Sequence, residues 1–379
     1  MTPAGGSQGR GPQQLSLFGG DTFVDDRVSD DSVQPLAIRD DSVQQLGRAL
    51  PGAIHLGTSS WSFPGWTGLV YAPRTGTNRV GSRRAGRGRG AGLGADDAAD
   101  DAAAAWETER RLAQQGLSAY AAHPLFRTVS LDRTFYSPLT VEGYAEYARQ
   151  VPEGFRFVVK APQAFTDAVL RRSRSGEPAR ANPHFLDAAA AAEVFVRPTV
   201  AGLGAKAGPL VFQFPPLGSK LLADRPRLIA RIAAFLAALP RGPLYAIEVR
   251  DASLVCDAFC QALRNAAAVP CLAVHARMPP VAEQADAFGL TVDDCQQPLI
   301  ARWNLHAGLA YQEAKDLYAP FNKLVEEDLP TRQALADLAH TTATRGRNVF
   351  ITINNKAEGS APLSVEALAR AITHKSNSE

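Results

Sequence analysis

The sequence predicts an α/β fold: a single (β/α)8 TIM-like barrel behind a disordered N-terminal tail. Three observations carry that expectation. Eight short apolar runs alternate with longer helical patterns. The runs are nearly continuous, as strands buried on both faces require. The 379 residues are 45% AVILMFWYC and 21% charged, which is ordinary for a globular chain. A doubly wound open sheet is the alternative, but eight regular units with a closing helix favour the barrel.

Taken in order, residues 1–53 read as a tail. They hold seven Asp and four Arg, a net of −3, which leaves +5 on residues 54–379. The pentapeptide Asp30-Asp31-Ser32-Val33-Gln34 recurs at Asp40–Gln44 but is too short and polar to build a solenoid. Such a segment buries too little apolar surface to offset its ordering entropy. Residues 54–372 form the barrel. A low-complexity Gly/Arg/Ala insertion at 74–105 interrupts it, opening with Arg74, Arg79, Arg83, Arg84, Arg87 and Arg89. Residues 373–379 are a C-terminal tail.

The strand candidates are Ile54–Thr58, Thr128–Asp132, Arg156–Lys160, Leu210–Phe214, Tyr245–Val249, Cys271–His275, Ile300–Asn304 and Val349–Ile353. Helices are expected over 102–122, Thr140–Gln150, Pro183–Arg197, Pro226–Leu239, Ser253–Ala268, Thr331–Thr344 and Ser364–Ile372. Thr140, Ser253, Thr331 and Ser364 are candidate N-caps, and Gly346 a helix stop.

Specific motifs sit at the strand ends. Gly57-Thr58-Ser59-Ser60-Trp61-Ser62 precedes Trp66 and Tyr71. Leu131-Asp132-Arg133-Thr134-Phe135-Tyr136, Phe155 to Pro162, Gly208 to Pro216, Glu248-Val249-Arg250 and Asn354-Asn355 follow. In this order they resemble the DUF72 (YecE-like) family over residues 54 to about 372. That resemblance implies a TIM-barrel-like fold similar to the xylose isomerase and endonuclease IV group, with no established activity. The chain departs from the common pattern. Ser130 and Asp132 stand where relatives carry Glu and Asn, His275 aligns with an Asp, and Asn304-Leu305 replaces a His-Gly. A subgroup-specific pocket is expected.

A TIM-like barrel places its site at the C-terminal strand ends. Glu248, Asp132 and Lys160 are the catalytic candidates, the two carboxylates as general base and acid. Trp61, Tyr136, Arg250, His275, Arg302, Asn304, Asn354 and Asn355 are the substrate-binding candidates. Arg forks suit phosphate or carboxylate, amides suit a sugar or base, and aromatic rings stack. The competing reading makes Glu248, Arg302 and Lys160 a structural ion network. On the catalytic reading, Glu248→Gln or Arg302→Ala abolishes turnover and leaves the fold intact.

No cofactor is predicted, because neither a dinucleotide fingerprint nor a P-loop is present. A divalent metal would have Asp132, Glu248, His275 and His306 as candidate ligands, with Lys160 and Arg302 opposing it. Cys256 and Cys260, four apart on an expected helix, lack with Cys271 and Cys295 the spacing of a zinc site and read as buried helix cysteines.

Gln14-Leu15-Ser16-Leu17-Phe18 resembles the bacterial sliding-clamp binding motif, with Gln14, Leu15, Leu17 and Phe18 as the contact residues. The Arg-rich loop at 74–89 would then supply nonspecific DNA contact through phosphates. No apolar run of 18 residues and no secretory h-region occur, so the expectation is a cytoplasmic protein without membrane contact. Three functions compete: an enzyme acting on an anionic, phosphate- or nucleotide-containing substrate, with a DNA-repair or replication link; a noncatalytic DNA- or clamp-associated module; and a sugar-phosphate isomerase or lyase.

Overall fold

The computed structural model describes residues 32–38, 40–73, 106–170 and 180–376. The chain divides into Met1–Ser32 and Val33–Glu379, and the second unit is the barrel. The clamp-like pentapeptide at 14–18, the insertion at 74–105 and residues 377–379 lie outside the described residues.

The strands are β1 (Ile54–Thr58), β2 (Thr128–Leu131), β3 (Arg156–Lys160), β4 (Val169–Leu170), β5 (Arg180–Ala181), β6 (Ala207–Gln213), β7 (Tyr245–Glu248), β8 (Ala268–Pro270), β9 (Leu272–Val274), β10 (Leu299–Trp303) and β11 (Val349–Ile353). β4 and β5 form a small antiparallel ladder. The other nine make one parallel sheet in the order β8-β7-β6-β3-β2-β1-β11-β10-β9. Its two ends are halves of one segment: β8 pairs with β7, and β9 pairs with β10. Pro270 has no N–H for the ladder, and Cys271 donates its own to the Ile247 carbonyl at 2.9 Å. The ring therefore closes through a kinked sixth barrel strand, and the eight-unit expectation holds. That strand spans 268–274 rather than the expected Cys271–His275.

Helix starts follow the better acceptor. Thr140 caps Val141–Arg149 as expected, its Oγ1 accepting from Gly143 N at 3.2 Å. Three other caps are corrected. Ser253 lies in a short 3-10 turn, and the helix is Asp257–Asn265. Asp328 Oδ1 accepts from Thr331 N at 3.1 Å and starts Leu329–Thr344. Ala361 N donates to Asn355 Oδ1 at 2.8 Å, so the last helix begins before Ser364 and runs on to Ser376. Asp187 caps Ala190 N at 3.0 Å, which delays the expected Pro183 helix to Ala188. Gly346, at φ 70°, ends its helix as expected.

The tail boundary is also corrected. Residues 33–53 belong to the folded unit, with helix Asp41–Ala49 burying Val43 and Leu46. Asp40 caps it through Ser42 N at 2.8 Å. The Arg127 guanidinium holds its other end, donating to Gly47 O and Pro51 O at 2.7 Å each. A pattern of local polarity hides this, because the anchor lies far away in sequence.

Two apolar layers result. The larger packs the outer strand faces against the helices. The smaller fills the barrel: Val158, Val211, Ala246, Val269, Cys271, Ile300 and Phe350. His55 stacks on Phe350, with ring centroids 4.7 Å apart. Burial, with Arg156 and Arg127 nearby, pulls the His55 pKa down to about 4. The unfolded imidazole takes a proton near 6.5, which the folded one refuses until about 4. Stability is therefore full above pH 6.5 and is lost as pH falls toward 4. A shift of this size corresponds to about 3 kcal/mol. Urea unfolding at stepped pH should show that slope, and His55→Phe should flatten it.

Candidate active site at the barrel mouth

The strand period of two builds the site. Two residues beyond the apolar layer, Val158 leads to Lys160, Val211 to Gln213, Ala246 to Glu248 and Ile300 to Arg302. An ionic layer thus caps the barrel's own core at the C-terminal strand ends.

Arg302 is its centre and is 2% exposed. Its Nη1 donates to Glu248 Oε2 at 2.8 Å and to Gln213 Oε1 at 3.4 Å. Its Nη2 donates to Asp132 Oδ1 and Oδ2 at 2.8 and 2.7 Å. Burial alone would lower the guanidinium pKa, but the Asp132 and Glu248 charges outweigh it and hold it raised. Glu248 is fully buried, and its second oxygen pairs with Arg250. Burial pushes the Glu248 carboxyl up, yet Arg250, Arg302 and Lys160 hold it below the usual range. Asp132 behaves alike: burial opposes ionisation, and Arg302 and Lys160 more than offset it. Ser130 Oγ donates to Asp132 Oδ1 at 2.6 Å. Asn304 Nδ2 reaches Glu248 Oε1 at 3.5 Å.

Both carboxylates are therefore held ionised by arginines, the electrostatics of a network rather than of an acid–base pair. Lys160 differs. Its Nζ lies 3.6 Å from the Phe135 ring centroid and has no hydrogen-bond or ion-pair partner among the described residues. Burial is the main cause of a pKa lowered to about 8. Asp132 pulls the other way, and Arg302 adds to the lowering. Arg250 Nη1 is buried and also lacks an acceptor. His275 is held neutral by burial and Arg250, with its pKa at about 4.

The remaining candidates separate into groups. Asn354 Nδ2 donates to Ser59 Oγ at 2.7 Å, and its Oδ1 accepts from Lys356 Nζ at 3.1 Å. Asn355 is buried, accepting from Trp66 Nε1 at 3.1 Å and from Ala361 N. Its oxygen serves the scaffold, while its Nδ2 is buried without a hydrogen-bond partner among the described residues. Trp61 is likewise buried, donating Nε1 to Leu112 O at 3.1 Å and packing edge-on against Tyr147. Trp303 is fully buried. Neither indole offers a stacking face. Tyr136 stays exposed, edge-on to Phe135. His306 Nδ1 accepts from Gly308 N at 3.3 Å, in the loop after β10. Asp132, Glu248, His275 and His306 do not assemble as metal ligands: no group of three or more His, Cys, Asp or Glu among the described residues could hold an ion. All four cysteines are free thiols.

Tyr311 escaped the sequence reading. It is 60% exposed, and Lys356 Nζ sits 4.4 Å from its ring centroid. Burial lowers the Lys356 pKa to about 8, with Lys315 adding to it. Tyr311 stands at the start of helix Tyr311–Tyr318, well past β10, so no strand-end count reaches it. Phe135 was visible only as part of a motif; its use as a platform for Lys160 needs the fold.

The fold and this mouth define a (β/α)8-barrel protein whose C-terminal strand ends carry an arginine-centred ionic layer. The chain belongs to the family described as protein of unknown function DUF72, whose model matches residues 99–379. Solved structures similar to it include a DUF72 family protein from Enterococcus faecalis V583, seen in two structures. One is 18% identical, covers 68% of this chain and 87% of that one, and has a TM-score of 0.47. The other is 15% identical, covers 70% and 94%, and has a TM-score of 0.45. A DUF72 family protein from Thermotoga maritima MSB8 is 15% identical, covers 86% and 99%, and has a TM-score of 0.49. No curated protein matches. Among the described residues, no helix is long and apolar enough to cross a membrane.

Proposed function

We propose that the barrel mouth is an enzyme site for an anionic substrate bearing a phosphate ester. One observation supports this above all: Lys160 Nζ and Arg250 Nη1 are cationic donors without acceptors, while both nearby carboxylates are taken. Arg250 Nη1 is shut off from solvent, and such a donor is costly unless a ligand supplies oxygen atoms; Lys160 is half-buried. Exposed Tyr136 and Tyr311 at the rim suit a planar group on the same ligand.

Calorimetric titration with inorganic phosphate, a nucleoside monophosphate and a sugar phosphate tests the reading. Binding should be present at pH 7 and weaken above pH 8, as Lys160 loses its proton. Lys160→Met should weaken it by roughly ten- to a hundredfold, the worth of one charged hydrogen bond. Equal affinity in wild type and Lys160→Met removes the proposal.

A second reading links the protein to DNA replication or repair through the sliding clamp. The complete Gln14–Phe18 match in a hydrophilic tail supports it, with the Arg-rich loop as a backbone contact. Because residues 33–53 are part of the folded unit, the informative truncation keeps Val33–Glu379. That fragment should retain its unfolding midpoint and lose clamp binding. Unaltered clamp affinity rejects the recruitment role.

A further inference from the structure

Lys160 stands apart from the other charges of the mouth. It interacts electrostatically with Asp132, Glu248, Arg302 and Arg250. Yet Arg302 and Arg250 occupy the carboxylates, and Lys160 Nζ rests on the Phe135 ring with no hydrogen-bond partner among the described residues. A lysine kept for structure would take one of those carboxylates. A half-buried amine resting on an aromatic ring beside other cations is instead the arrangement that frees a nitrogen lone pair near neutral pH.

We propose that Lys160 forms a Schiff base with the aldehyde or ketone carbonyl of a phosphorylated substrate. This rests on the anionic-substrate reading of the same mouth, with Arg250 as the phosphate contact. The neutral Nζ forms a C–N bond to the carbonyl carbon, and one amine proton passes to the carbonyl oxygen. The second amine proton then follows, the C–O bond breaks, and water leaves an imine. No oxidant or reductant is consumed. Once protonated, the imine nitrogen keeps the cation site over Phe135 and the favourable field of Asp132 and Glu248.

The test uses the full chain with glyceraldehyde 3-phosphate or dihydroxyacetone phosphate, with and without sodium borohydride, read by intact mass and peptide mapping. The expected result is one borohydride-dependent adduct, at Lys160, suppressed by inorganic phosphate. At pH 7.5 a lysine of pKa near 8 has on the order of a hundredfold more free amine than an ordinary one. Lys356 shares that property, so labelling at Lys160 should exceed that at the ordinary lysines by about tenfold or more, and labelling at Lys356 in place of Lys160 overturns the proposal. Lys160→Arg should lose the adduct. Labelling spread evenly over the lysines, or no labelling, overturns the proposal; the wild-type map decides this even if the variant misfolds. Phosphate binding in the same samples separates the two readings. Bound phosphate without a Lys160 adduct overturns the Schiff base alone, whereas no phosphate binding overturns the anionic site as well.

Discussion

Replacing Arg302 with Met should destabilise the fold by about 3–5 kcal/mol, because it leaves fully buried Glu248 with Arg250 alone and removes the ion-pair partner of Asp132. In scanning calorimetry that is a drop on the order of 10 °C in Tm. The result would correct the expectation that Arg302→Ala or Glu248→Gln silences turnover with the fold intact. Both side chains lie at the centre of the barrel's ionic layer, where removing one partner leaves an uncompensated charge without water. Arg302→Met combined with Glu248→Gln should cost less than the sum of the two, because the second change removes the stranded ion. An unchanged Tm in Arg302→Met would show that Arg250 and Lys160 alone satisfy both carboxylates. Lys160→Met makes the contrast. It breaks no ion pair and should leave Tm within a few degrees while weakening ligand binding roughly ten- to a hundredfold.

The second large effect lies at Gly57 in β1. A Cβ there would stand 1.8 Å from Thr128 O and 2.6 Å from Thr128 C, both backbone atoms of the adjacent strand. Tyr120 occupies the space that remains. Its hydroxyl accepts from Thr58 N at 2.9 Å and donates to Thr128 O at 3.0 Å, pinning β1 to β2. Gly57→Ala must separate the strands and break that pin. The expected cost exceeds about 4 kcal/mol, enough to unfold an average domain or exclude it from the soluble fraction. Gly52→Ala, with nothing within 4 Å of its Cβ, should stay within about 0.5 kcal/mol. Soluble yield and the urea midpoint of the two variants check this, and a well-folded Gly57→Ala would disprove the close approach.

Much of the site was legible as a set of positions. Asp132, Lys160, Glu248 and Arg302 follow apolar runs by the strand period, and barrel geometry collects such residues at one end. Their roles were not legible. Whether a carboxylate is an acid, a base or a counter-ion depends on which cation comes within 3 Å. Asp132 and Arg302 are 170 residues apart. Trp61 reads as a stacking platform because a Trp at a strand end can face either way; the structure turns it into the core.

The sequence by itself determined the barrel and the strand positions to within a few residues. These rest on local patterns of burial and turn chemistry that recur eight times along the chain. The family resemblance rests instead on the order of the strand-end motifs. Only the tertiary structure decided that the sixth strand is kinked at Pro270, that helix Asp41–Ala49 belongs to the domain, and that Arg250 and Arg302, not Lys160, take the carboxylates of the mouth. Each depends on a contact between segments distant in sequence: Cys271 with Ile247, Arg127 with Gly47, and the arginines with the carboxylates. Charge pairing is a competition among all groups brought within reach, and its outcome depends on distances that no linear pattern encodes.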